Sequence, residues 1–237
     1  MLIVAAALGW WWSMRMAKGM DPTAMGDRAM SEGSKMSAAA FFVAWLAMMA
    51  AMMLPAIAPV VRLYARASGL HRVAPLPYFV GGYLIVWMLL GVPAYAAWRA
   101  LDGPLAQGAP WTGRLAGGAF IAAGVWQLTP LKEICLRHCR APMSFFLRYG
   151  RHLERPLGAL RMGTSHGLFC VGCCWALFAL LVALGTMNIG WMLGLTALIV
   201  VEKTFPQGRQ GATIAGVAFV FLGIWLFVSP HAITTIA

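Results

Sequence analysis

Charge is scarce in this chain. Only 11% of its 237 residues are charged, and Asp and Glu together number 7 against 18 Lys and Arg. A soluble domain of this length cannot bury a sequence that is 61% hydrophobic in a single core. With a mean hydropathy of +0.76, the scarcity excludes a soluble globular protein and points to one whose apolar residues face lipid and each other. Cysteine is sparse too. The five cysteines all lie within four residues of another, which excludes a framework of long-range disulfides and favours ligation or redox chemistry. Two motifs are missing. No Walker sequence is present, which excludes ATP-driven pumping within this chain. Cys174 rather than a histidine follows Cys170-Val-Gly-Cys173, and Trp175 comes next, so there is no Cys-x-x-Cys-His for a c-type haem.

The charge that is present is lopsided, with a net +11 and a pI of about 10.1. The basic residues sit between apolar runs rather than in a tail or soluble domain. Topology and anionic headgroups account for them, so the lipid bilayer is the expected partner and nucleic acid is not.

Apolar runs long enough to cross a bilayer occur at 38–61, 77–98, 114–130, 164–184, 187–203 and 211–229. "MLIVAAALGWWW", within residues 1–13, is short for a span that needs ~20 residues, and its tryptophans suit an interfacial belt. The expected fold is therefore all-α: a polytopic transmembrane helical bundle of six spans plus a short N-terminal seventh. It forms a single integral membrane domain over 1–237. Loops 62–76, 131–163 and 202–210 hold 12 Lys and Arg; those on the other side, with Arg114, hold 6. The bias makes 131–163 a basic cytoplasmic segment and 13–37 a Met-rich outer loop. Gly113/Gly117 and Gly118/Ala122 supply small residues at the four-residue spacing that suits close helix packing in lipid.

Against this background, "HGLFCVGCCW" concentrates soft-ligand chemistry. On a helix His166, Cys170, Cys173 and Cys174 fall within an arc of about 100°. Thiolate and imidazole are the ligands of Cu(I), zinc and iron–sulfur centres. One helix cannot wrap four ligands around an ion, so partners must come from elsewhere. "PLKEICLRHCRAP" offers Cys135, His138 and Cys139 at the same expected membrane side. A single such cysteine reads as a small buried residue; five in two His-bearing groups read as a metal site.

Weaker candidates are Met48, Met49, Met52 and Met53 in "MMAAMM", whose thioethers can ligate Cu(I) but also serve as flexible core filler. The loop 13–37 carries six further methionines, which an amphipathic helix lying on the membrane would also explain. Glu202 and Lys203 end an apolar run; a functional role and an ion pair at the membrane boundary explain them equally well. His71, His152 and His231 read as plain surface residues.

"WLAMMAAMMLPAIAPVV", "WQLTPLKEICLRHCRAP", "HGLFCVGCCWALF", "MNIGWM" and the Glu202-Lys203 pair resemble, in order, the blocks of the DUF2182 family of predicted metal-binding integral membrane proteins. The resemblance covers residues 40 to 205, and Trp126 stands where a tyrosine is common. It implies a multi-pass bacterial membrane protein with a metal site, and leaves the biochemical role open; the inner membrane is the expected location.

The leading expectation is soft-metal handling. Cu(I) would be bound, delivered or transported by the Cys/His groups with the methionines as relay, and zinc is the second metal considered. A membrane redox enzyme, dithiol or copper-dependent, is the alternative, although no residue is assigned a catalytic role. A third reading is an accessory subunit of a larger complex. A membrane or periplasmic protein, or a second copy of the chain, would be the partner.

Overall fold

The structure is a computed structural model that describes residues 7–12, 14–15, 37–69, 74–106, 110–140, 153–184 and 189–230. Among these residues it is almost entirely helical, with no strand. Eight helices follow the segment at 7–12: α1 (Ala38–Ala56), α2 (Ala58–Gly69), α3 (Leu76–Ala106), α4 (Pro110–Leu128), α5 (Pro130–Arg140), α6 (Pro156–Ala183), α7 (Ile189–Thr204) and α8 (Gly208–Val228).

Local sequence sets the boundaries. Ser37 caps α1, its hydroxyl accepting from the Ala40 amide at 3.2 Å. Pro55 ends the regular helix and Ile57 breaks it, so the run expected at 38–61 becomes α1 followed by α2. Pro130 and Pro156 occupy the starts of α5 and α6, where their missing N–H costs nothing. The start at Pro156 gives α6 two turns more than the expected span at 164–184, and it absorbs the end of the segment read as a loop.

Among the described residues, four helices are long and apolar enough to cross a membrane: α1, α3 over Leu76–Leu101, α6 and α8. The third and fifth expected runs are also helical but fall short. α4 carries Arg114 and Gln127 among glycines, and α7 has 16 residues and ends in Glu202 and Lys203. At the N-terminus, Gly9 lies against α1, where a Cβ would come 2.7 Å from the Ala47 carbonyl oxygen. The rest of the expected seventh span, nearly all of 13–37, and His71, His152 and His231 lie outside the described residues.

α3 packs along α6, and α4 along α8. Gly117 supports the second pairing, since a Cβ there would meet the Gly223 carbonyl at 2.8 Å; Gly118 faces open space, so only the Gly113/Gly117 half of the expected stripe is a packing face. The core lies between α1, α3 and α6. Trp87 stacks at an angle on Phe178, with centroids 4.8 Å apart, and the Trp45 indole donates to the Trp87 carbonyl at 2.9 Å. Met49, Met52 and Met53 belong to the same core and are completely buried.

Candidate metal centre

The thiols sit near the middle of α6. Cys170 is 14 residues beyond Pro156, about 21 Å along the axis. Helical periodicity turns His166, Cys170, Cys173 and Cys174 to one face, and all four are buried. The Sγ atoms of Cys170, Cys173 and Cys174 lie within 4.8 Å of one another. Those of Cys173 and Cys174 are 3.2 Å apart, and the Cys173 thiol also donates to the Cys170 carbonyl at 3.1 Å.

Other helices close on this face. α5 brings Cys139 to 4.0 Å from the Cys173 sulfur, so a fourth thiol stands at the edge of the group. α1 brings the Met53 thioether to 3.9 Å from the Cys170 sulfur. α3 places the Tyr83 hydroxyl 3.0 Å from that same sulfur, and α7 places the Lys203 ammonium 2.9 Å from it. Cys170 is thus surrounded by a thioether, a phenol and a cation from three different helices.

The remaining candidates are placed apart. Cys135 lies against Gly172, whose missing Cβ leaves room for its sulfur, and it is half-buried. His138 turns Nδ1 to the Ile134 carbonyl of its own helix at 2.8 Å and stacks flat on Phe169 at 4.3 Å. His166 is buried one turn before Cys170, its ring 6.0 Å from that of Tyr83; its nitrogens are not among the ligand atoms that converge. Met48, Met49 and Met52 are core side chains. Burial pushes the Cys135 thiol above its ordinary pKa. The Cys139 thiol is raised well above it, first by hydrogen bonding to Cys170, partly offset by Cys173, with burial adding to the rise.

Glu202 and Lys203 separate. Successive residues of a helix point about 100° apart, so Lys203 reaches the thiols while Glu202 turns to Lys132 at 2.7 Å and accepts from Gln127 at 2.8 Å. Sequence reasoning missed Tyr83, Gln127 and Lys132. Tyr83 stands inside an apolar run with nothing to mark it. Lys132 carried a signal, standing two helical turns before Cys139 and hence on the same face.

Three buried sulfurs converging from one helix, with a fourth thiol and a thioether alongside, define a helical protein suited to a soft metal ion. A family model described as PpoB2, copper chaperone, matches residues 42–226. The chain belongs to this copper chaperone family. Its name differs from that of the family whose blocks the sequence resembles, and its description names copper. No curated protein and no solved structure matches the chain.

Proposed function

We propose that the protein is a multi-pass membrane protein, of a bacterial inner membrane, that binds Cu(I) as its cargo and passes it on. The observation that carries this reading is the group of three buried sulfurs within 4.8 Å. Cys170, Cys173 and Cys174 are the ligands, with Cys139 as an exchangeable fourth thiol. Met53 is the weaker soft donor through which the ion arrives or leaves. His138, His166 and Cys135 are not ligands in this reading. Thiolate and thioether suit Cu(I), and the absence of a converging carboxylate or imidazole argues against a harder ion among the described residues.

Charge balance supports a monovalent cargo held by few thiolates. With two of the three cysteines ionised and the third bound as a neutral thiol, the Cu(I) centre carries one net negative charge, and the Lys203 ammonium at 2.9 Å from Cys170 offsets it where water cannot. Membrane embedding is supported by the apolar surface: Ile214 and Phe221 of α8 are 70% and 69% exposed. The six helices α1, α3, α4, α6, α7 and α8 are the spans of this reading. Delivery requires an acceptor, which would be a membrane or periplasmic protein or a second copy of the chain.

The test is anaerobic titration of detergent-purified, reduced protein with Cu(I) against a chromophoric Cu(I) chelator, with Zn(II) in parallel. Cu(I) is expected to be retained with an affinity that rises with pH, because each ligating thiol must release its proton. Retention no better than the detergent blank, or a preference for Zn(II), would overturn the reading. In the same assay Lys203→Met is expected to weaken Cu(I) binding by about 10- to 100-fold, the cost of losing an outer group that supports bound ligands. The number of ions bound at saturation should not change.

A further inference from the structure

Two ties hold α5 against the end of α7. At the start of α5, the Lys132 ammonium meets the Glu202 carboxylate at 2.7 Å, while Gln127 of α4 donates to the other carboxylate oxygen. At the end of α5, the Arg140 guanidinium donates to the Phe205 carbonyl. The first tie is the unusual one, because both side chains are almost fully buried, at 2% and 1% exposure. Two charges removed from water are costly, and well-packed apolar residues would hold two helices together as well. A buried pair is then best understood by what it specifies.

What it specifies lies next to it on both helices. The buried residues of α5 are Lys132, Leu136 and Cys139, a stripe at i, i+4 and i+7. With Lys132 fixed at one end, the stripe has a single orientation, and that orientation puts Cys139 against Cys173. A turn of α5 about its axis would withdraw Cys139 and offer a neighbouring residue in its place. On α7, fixing Glu202 toward Lys132 directs Lys203, the next residue, to Cys170. Gln127 and Lys132 also line a cavity of about 410 Å³, so the groups that hold Glu202 form part of its wall.

We infer that Lys132 and Glu202 are a positioning pair for the metal centre: their contact sets Cys139 and Lys203 in place around the α6 thiols. The inference rests on the copper reading for its effect on affinity, but the placement of Cys139 can be read without metal. Three proteins are compared with the wild type: Lys132→Met, the apolar double variant Lys132→Met/Glu202→Met, and the charge swap Lys132→Glu/Glu202→Lys. The measurements are the maleimide labelling rate of Cys139 relative to Cys135 in metal-free protein, and Cu(I) affinity by chelator competition.

The apolar double variant leaves no unpaired charge and so keeps the experiment decisive if the single variant does not fold. It should label Cys139 faster than the wild type and bind Cu(I) about 10- to 100-fold more weakly, as when residues that orient ligands are lost. The charge swap should restore both toward wild-type values. Wild-type labelling and affinity in the apolar double variant would overturn the inference. If the wild type itself holds no Cu(I), the copper reading fails, and the labelling rates still decide whether the pair places Cys139.

Discussion

Replacing Cys170, Cys173 and Cys174 together by Ser is expected to reduce bound copper to background, measured as metal per protein after loading and desalting. A hydroxyl is a hard, protonated donor, and Cu(I) selects thiolate and thioether. The three sulfurs contribute the only group of converging Cys, His, Asp or Glu ligand atoms found among the described residues. Cys139 and Met53 remain in the triple variant, but the thiols they contact, Cys173 and Cys170, are among the residues removed. Cys135→Ser is the matched control. Its sulfur faces Gly172 rather than the cluster, so copper content should stay at the wild-type level. Folding is not expected to fail in the triple variant, since serine is close to cysteine in size and the Cys173 thiol already donates to a carbonyl that a hydroxyl could use. A triple variant that still carries wild-type copper would place the cargo elsewhere in the chain.

How much of this was legible beforehand depends on whether the information was local. The apolar runs announced the helices, because a run of this length has few other solutions, and the face shared by Cys170, Cys173 and Cys174 follows from the helical repeat alone. The extent of α6 did not follow. Its first two turns contain Arg161, which dilutes the hydropathy, while Ala159, Met162 and Gly163 there are buried against other helices. The split of the second ligand group was equally hidden. Cys135, His138 and Cys139 lie close together on one helical wheel, and nothing within α5 says which turns inward. That choice is made by Lys132 reaching Glu202, 70 residues away. Likewise only Met53 of the four adjacent methionines reaches a thiol, because the register of α1 against α6 is a property of their packing. Adjacent Glu202 and Lys203 suggested one shared role, whereas the geometry of a helix sends them to different partners.

Gly82→Ala is expected to destabilise the protein by about 1–3 kcal/mol, the usual cost of overpacking, with a larger loss where backbone cannot yield. The residue stands where α3 crosses α6, and a Cβ added there would run into the Leu160 carbonyl, with the Thr164 amide nitrogen 3.1 Å away. Both obstacles are backbone, so no change of rotamer relieves the clash. Gly163 on the opposite helix faces the same restriction from the Phe79 carbonyl. The two helices must therefore move apart, and the residue after Gly82 is Tyr83, whose hydroxyl lies 3.0 Å from the Cys170 sulfur. The loss of stability should then be accompanied by weaker Cu(I) binding, since the widened crossing draws the phenol from the site. Gly81→Ala provides the comparison one residue away: its Cβ would enter open space, and alanine favours helix over glycine by about 1 kcal/mol. Thermal unfolding in detergent should therefore show a lower midpoint for Gly82→Ala and an unchanged or higher one for Gly81→Ala. Equal midpoints for the two variants would mean that α3 and α6 do not approach through these glycines, and the contact between Tyr83 and the thiols would lose its structural basis.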